Sequence, residues 1–368
     1  MLTPTLTDRI KNIVNQFRIE GTVVSVEPFG SGHINDSYLV KTLPESAPDY
    51  VLQRINHHVF RNIPELTNNI LKVTRHLESK LEQASGIGFE VLKLIPSNEG
   101  EYFLKDAAGD FWRLYYYVKG SRSYDIVGNP SLAYEGGKAF GLFHAMTSEM
   151  DASGLYEVLP DFHNIDTRLK SFHEILDHNP ANRVAESSAE IAFVKEREKE
   201  MHRIPELLRD GKIAVRVTHN DTKFNNILFN ETGRAICIID LDTIMPGTIL
   251  YDFGDAIRTG TNTGAEDEAD LSKVDLDLSL FEAYAKGYME IARDFLLNGE
   301  VDNLAFSSRY MTFLIGLRFL TDHLDGDHYY RIGFPGHNLQ RARAQFRLVS
   351  SIEKKLPEMK KIIEKLKS

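Results

Sequence analysis

Between residues 219 and 242 the chain reads His219-Asn220-Asp221-Thr222-Lys223-Phe224-Asn225-Asn226, an apolar stretch, the turn Asn230-Glu231-Thr232-Gly233, a second apolar stretch, and then Asp240-Leu241-Asp242. Two short apolar runs around a four-residue loop form a β-hairpin, so strands are predicted over 227–229 and 235–239. Antiparallel pairing returns Asp240 to the loop that holds Asp221 and Asn226. Two carboxylates and an amide are hard oxygen ligands of the kind that suit Mg2+, which keeps waters and shares its other positions with phosphates. A carboxylate left off the metal accepts a proton from a substrate hydroxyl. Together these are the protein parts of phosphoryl transfer from ATP. Any one of these Asp or Asn residues alone is ordinary loop chemistry. The whole spaced run, followed by a hairpin, asks for a function. Lys223 stands two residues past Asp221, where it would neutralise charge on a γ-phosphate; as a plain loop lysine it would face solvent.

The surrounding elements must present this loop. Leu6, Ile10, Val14 and Phe17 give an opening amphipathic helix. Strands follow at 22–28, 37–41 and 50–55, the first two joined by the glycine-rich turn 29–36. A long helix carries Leu66, Ile70, Val73, Leu77 and Leu81 on one face, with Pro64 in its first turn. Further strands are predicted at 89–94 and 111–118, the latter ending in Lys119-Gly120. Beyond residue 132 the pattern turns helical, at 133–146, 187–209, 276–296, 304–323 and 338–365, broken by the β segment at 213–245. The fold class is therefore α+β. A small antiparallel-sheet N-lobe over 1–118 would bind nucleotide, and a larger, mainly helical C-lobe over 119–368 would hold the catalytic loop and the acceptor.

The run from His219 to Asn226, followed by Ile-Ile-Asp240-Leu-Asp242, resembles the signature of the aminoglycoside phosphotransferase and choline kinase superfamily, small-molecule kinases with the protein-kinase fold. The resemblance covers most of the chain and implies roles for several residues. Asp221 is the catalytic base, Asn226 and Asp240 hold Mg2+, and Asp242 assists the metal site. His219 supports the loop, and Asp252 braces it. The glycine-rich turn would cover the ATP phosphates with the amides of Gly30, Ser31 and Gly32, and His33 at its tip would reach the acceptor. The family places a lysine on the third strand, but here the run is Leu52-Gln53-Arg54-Ile55, and Arg54 is the nearest cation. The hinge Tyr115-Tyr116-Tyr117-Val118 would offer the backbone of Tyr116 and Val118 to adenine.

Two further stretches, Val51-Leu52-Gln53-Arg54-Ile55-Asn56 and Gly316-Leu317-Arg318 through Tyr329-Tyr330, are similar to those of the N-acetylhexosamine 1-kinases within that superfamily. This implies an amino sugar as the small-molecule partner, its hydroxyls held by Arg318 and Tyr329. Arg318, Asp322 and Asp325 fall at helical spacing and share a face or its end. An aminoglycoside would want a dense acidic patch, which Asp322, Asp325 and Asp327 also offer. Choline would want an aromatic box. Kinases for choline or ethanolamine, homoserine, methylthioribose or aminoglycosides remain alternatives, as does a non-catalytic pseudokinase.

Composition bounds the classes. The 368 residues suffice for two lobes with cores, and 42% hydrophobic with 26% charged residues is ordinary for a globular chain. A net charge of −10 speaks against a nucleic-acid partner. No apolar stretch reaches membrane-spanning length. The N-terminus lacks a basic segment followed by an apolar run, so no signal peptide is expected. The single cysteine, Cys237, sits in an apolar run and reads as core. A reducing, cytoplasmic location is the expectation.

Overall fold

A computed structural model describes residues 4–30, 34–84 and 86–367; Ser31, Gly32 and His33, at the tip of the glycine-rich turn, lie outside them. Helix α1 (Pro4–Val14) precedes strands β1 (Thr22–Pro28), β2 (Asp36–Leu43) and β3 (Tyr50–Ile55). Helix α2 (Ile63–Gln83) follows, then β4 (Leu94–Ile95), β5 (Leu104–Lys105) and β6 (Phe111–Tyr116). The strands form one antiparallel sheet in the order β1-β2-β3-β6-β4, with β5 also paired to β6.

Strand side chains alternate between faces, and the register makes this concrete. Gln53 pairs with Arg113 and Arg54 with Trp112. Tyr50, Leu52, Trp112 and Leu114 pack on Ile10, Ile13 and Val14 of α1. The opposite parity sends Ile55 and Tyr115 into the core that α2 shares with the C-lobe. Arg54 therefore belongs to the α1 side, and Gln53 and Arg113 to the side facing the C-lobe. Helix α2 starts as the sequence predicts: Asn62 caps it by accepting from the Glu65 N–H, Pro64 sits in the first turn, and Leu66, Ile70, Val73 and Leu77 are buried.

The C-lobe comprises α3 (Pro130–Thr147), α4 (Ile165–His178), α5 (Ser188–Met201), α6 (Arg203–Arg209), β7 (Arg216–Thr218), β8 (Ile227–Phe229), β9 (Ala235–Ile238), β10 (Met245–Gly247), α7 (Ile249–Gly260), α8 (Leu278–Ala292), α9 (Asn298–Val301), α10 (Leu304–Asp325) and α11 (His337–Leu366). Helices α3 and α8 touch backbone to backbone. A Cβ on Gly287 would lie 2.0 Å from the Tyr134 carbonyl oxygen, and one on Gly137 would lie 2.1 Å from that of Tyr284. Cys237 is buried and free.

Three expectations are corrected. The strand foreseen at 89–94 is reduced to Leu94–Ile95, because Glu90 bridges Cys237 of β9 instead of joining the sheet. The helix foreseen over 187–209 is two helices that break at His202. Helices α4 and α7 were not anticipated. Among the described residues no helix is long and apolar enough to cross a membrane.

Candidate active site

Two small ladders hold the segment from 219 to 244. Strand β7 pairs with β10, and β8 pairs with β9. The loop 219–226 leaves β7 and enters β8, and the segment 239–244 leaves β9 and enters β10. The two irregular stretches therefore lie side by side, fixed at both ends by antiparallel pairs. Hydrogen bonds stitch them together. His219 Nε2 lies 3.0 Å from the Ile239 carbonyl oxygen. Asn220 Nδ2 donates to the Thr243 carbonyl at 3.0 Å. Thr243 Oγ1 donates to the His219 carbonyl at 2.6 Å, and the Ile239 N–H donates to the Asn226 carbonyl at 2.9 Å. Asn220 and Asp240 adopt left-handed backbone angles, φ of 62° and 60°. Such positions cost about 1–3 kcal/mol and persist where the surroundings over-determine them.

Asp252, in the first turn of α7, holds the loop from below. Its carboxylate accepts from the His219 and Asn220 N–H groups, both at 2.7 Å, and its carbonyl accepts from Thr222 Oγ1 at 2.6 Å. His144 of α3 completes the support, with Nε2 2.8 Å from Asp252 Oδ2.

The loop brings Asp221, Lys223 and Asn226 together. Lys223 Nζ lies 3.1 Å from Asp221 Oδ1. Asn226 Nδ2 donates to the Asp221 carbonyl at 2.8 Å and more weakly to Oδ2 at 3.3 Å. Burial opposes ionisation of Asp221, but the charges of Lys223 and His219 outweigh it and hold the carboxyl below its ordinary range. Asp221 in turn raises the Lys223 ammonium above its usual value. A carboxylate that stays charged can orient a hydroxyl and take its proton. Asp240 behaves oppositely. Burial, then the charges of Asp242 and Asp221, push its carboxyl up to about 7. That is a carboxyl short of positive charge, and a divalent cation would supply it. The Asn226 amide aims its nitrogen at Asp221, which leaves its oxygen to a cation. Among the described residues no group of three or more His, Cys, Asp or Glu side chains forms a metal cage. Mg2+ would therefore draw its remaining ligands from phosphate and water, as it usually does. Asn226 and Asp240 fit such an ion.

Asp242, expected to assist the metal site, is engaged by the N-lobe. It is 3% exposed and paired with Arg113, itself 1% exposed. Asn35 Nδ2 donates to its other oxygen at 2.6 Å. Arg54 is not brought to the cluster. Its Nε donates to Asp36 at 2.9 Å, and it also faces Asp110, on the α1 side that its strand parity dictates. At the hinge, the Tyr116 N–H is taken by the Lys93 carbonyl at 3.1 Å, and its ring stacks on Tyr50. The Val118 carbonyl accepts from Ser121 Oγ at 2.6 Å. Gly30 has φ of 78°, a turn conformation that suits glycine. Beside it the Phe29 ring meets Tyr117 of the hinge edge-on at 5.8 Å.

Arg318, expected to hold the acceptor, is buried. Its guanidinium lies 4.7 Å from the Phe162 ring centroid, 5.6 Å from Tyr330 and 5.7 Å from Tyr329, and Nη2 is 3.4 Å from the Tyr329 hydroxyl. His163, next to Phe162, reaches the catalytic loop, with Nε2 3.0 Å from the Asn220 carbonyl. Burial, then Arg318, lower the His163 imidazole to about 3. Burial and Arg318 also lower the half-buried Arg168, whose Nε has no partner. Neither Arg168 nor Arg318 has a carboxylate within 4.0 Å among the described residues. Asp322 and Asp327 are engaged elsewhere. Asp322 accepts from the Tyr329 and Tyr330 N–H groups at 2.7 and 2.9 Å, and Asp327 accepts from Arg183 at 2.5 Å. Both also take an Asn338 Nδ2 bond at 2.8 Å.

Sequence reasoning missed Arg113, Gln53, His144, Phe162, His163 and Arg168. For Arg113 a signal existed: a lone arginine inside the apolar strand Phe111-Trp112-Arg113-Leu114-Tyr115.

A family model described as "Phosphotransferase enzyme family" matches residues 25–288. Among solved structures, the chain is similar to a microcompartment-associated aminopropanol kinase, at 16% identity and a TM-score of 0.65, covering 96% of this chain and 98% of that one. It is similar to an ethanolamine kinase of Plasmodium vivax, at 15% identity and 0.56, covering 91% and 83%. It is also similar to an aminoglycoside phosphotransferase solved with ADP bound, at 13% identity and 0.53, covering 95% and 99%. At these identities the likeness establishes the kinase-like fold.

Proposed function

Because the chain belongs to the phosphotransferase enzyme family, we propose that it uses ATP with Mg2+ to phosphorylate a sugar, at the anomeric 1-hydroxyl of an N-acetylhexosamine such as GlcNAc or GalNAc. The ADP bound to a relative of the same fold supports ATP as donor. Nucleotide would lie under the Gly30 turn and against the hinge at Val118. Mg2+ held by Asn226 and Asp240 would neutralise charge on the phosphates. Asp221 orients the acceptor hydroxyl and takes its proton as the new O–P bond forms. The bond from the γ-phosphorus to the bridging oxygen breaks, and ADP leaves. Lys223 stabilises charge beside Asp221.

The observation that carries the acceptor is the pair of arginines without carboxylate partners. Aminopropanol, ethanolamine and aminoglycosides are cations at neutral pH, and like charge repels them. The three rings around Arg318 already hold a cation, so they do not make a free box for choline. Of the three carboxylates that an aminoglycoside would use, Asp322 and Asp327 are engaged within the protein. Arg318 and the exposed Tyr329 are suited to the hydroxyl and acyl oxygens of a neutral amino sugar.

The test is ADP release with ATP and Mg2+ over GlcNAc, GalNAc, glucose, galactose, choline, homoserine and kanamycin. Turnover concentrated on the hexosamines supports the reading. Turnover only with choline, homoserine or kanamycin keeps the phosphotransferase and discards the sugar site. Turnover with none points to a binding module.

A further inference from the structure

A lysine on the third strand is absent, and the position of that strand facing the C-lobe is Gln53. Its cross-strand partner is Arg113 of β6. The Arg113 guanidinium uses all three nitrogens. Nε and Nη2 donate to Gln53 Oε1 at 3.0 and 2.8 Å, and Nη1 donates to Asp242 Oδ1. Asp242 is two residues from Asp240 and lies in the C-lobe segment that runs beside the catalytic loop. Its second oxygen takes Asn35 Nδ2, and Asn35 Oδ1 accepts from the Asn56 N–H at 3.0 Å. Asn35 is the second-last residue of the glycine-rich turn 29–36. Nearby on α2, Asn69 Nδ2 bonds the Ile244 carbonyl at 2.9 Å and the Tyr156 carbonyl at 2.7 Å. Three N-lobe elements, β6, the turn and α2, thus bond one short C-lobe segment, and β3 supports the first through Gln53.

We propose that Arg113, delivered from β6, is the positioning cation of the nucleotide site proposed above: through Asp242 it fixes the segment carrying Asp240 and, with Asn35 on the same carboxylate, ties residue 35 to that segment. It acts through Asp242 and is not a catalytic residue. The physical case is threefold. A buried guanidinium with five donors in a rigid planar fork bridges Gln53 and Asp242 in one fixed geometry, which the rotatable point charge of an ammonium does not impose. A buried ion pair is poor as a source of stability but good at specifying one geometry. Asp240 sits in a left-handed conformation, and such a conformation needs neighbours that hold it. Asp242 as a direct metal ligand would predict the reverse outcome, because removing its arginine would free it for the ion.

The experiment is calorimetric binding of ATP, with and without Mg2+ and with no acceptor present, alongside Tm. Its outcome is therefore independent of which acceptor the enzyme uses. Arg113→Met is expected to weaken Mg2+-ATP binding tenfold or more, and to shrink the factor by which Mg2+ tightens ATP. Arg113→Lys should fall between it and the parent. If Arg113→Met does not fold, the apolar pair Arg113→Met with Asp242→Leu keeps the buried volume, and it should fold and show the same loss. Parental or tighter Mg2+-ATP binding in a folded variant of either kind overturns the proposal.

Discussion

His144 Nε2 and Asp252 Oδ2 lie 2.8 Å apart with side chains 1% and 0% exposed, a fully buried pairing beneath the loop 219–226. The same carboxylate accepts the His219 and Asn220 N–H groups. One aspartate on α7 therefore sets the height and direction of the loop that carries Asp221. Removing that carboxylate leaves the buried His219 and Asn220 N–H groups unpaired, at about 1–3 kcal/mol each. Asp252→Ala should accordingly lower Tm by many degrees and reduce kcat in whatever fraction folds. An Asp252→Ala protein with parental Tm and kcat would show that the loop stands without this support.

Asp221→Asn keeps the shape and removes the proton acceptor. It should lower kcat by several orders of magnitude while leaving the dissociation constant for ATP within a few-fold. Steady-state kinetics and equilibrium nucleotide binding check both halves. Near-parental turnover would remove Asp221 from the role of base.

Arg318→Met and Tyr329→Phe should raise KM for the sugar without changing ATP affinity. The first should also relax the exclusion of amines. A rise in choline or kanamycin turnover on removing Arg318 would identify charge as the selector. If Arg318→Met leaves the sugar KM unchanged, the arginine is only packing.

His163 gives a pH signature. Its imidazole falls from an ordinary 6.5 to about 3 on folding. Above pH 6.5 both states are neutral there and the contribution is full. Between 6.5 and about 3 the unfolded chain binds a proton that the folded one refuses, so stability falls with pH by up to about 1.4 kcal/mol per unit. His163→Phe should flatten the urea-derived stability between pH 6 and 4 relative to the parent. Identical slopes would assign the acid sensitivity to other groups.

The α3–α8 contact predicts that Gly287→Ala destabilises strongly, because its methyl would meet the Tyr134 carbonyl oxygen at 2.0 Å. Overpacking typically costs about 1–3 kcal/mol, and a backbone obstacle yields little. An unchanged Tm would mean that the two helices separate at no cost.

Much of this was legible in the sequence wherever the signal is local. Strand β3 falls on 50–55, the hairpin on its two apolar runs, and α2 on its capped and periodic stretch. The gathering of Asp221, Asn226 and Asp240 was readable because a hairpin converts sequence spacing into proximity. Arg54 was singled out as the nearest cation in sequence, and the two-residue parity of the strand turns it to the α1 side, beside Asp36 and Asp110. The alternation Val51, Gln53, Ile55 already assigned Gln53 to the other face. Arg113 bonds Gln53 across a separation of 60 residues and Asp242 across 129, and no local pattern carries that pairing. Phe162, His163 and Arg168 stand on an irregular stretch and on the first turns of α4, where only the tertiary packing gathers them around Arg318.

The most direct test of the central claim is the identity of the bond made. The purified protein would be incubated with ATP, Mg2+ and GlcNAc, and the product examined by phosphorus and carbon NMR. The account predicts phosphorus coupled to C1 in a product cleaved by mild acid, and its absence from the Asp221→Asn protein. A phosphate at another hydroxyl would contradict the anomeric assignment. Phosphorylation confined to an amino alcohol or an aminoglycoside would contradict the reading of Arg318 and Arg168 as the selectors of a neutral sugar.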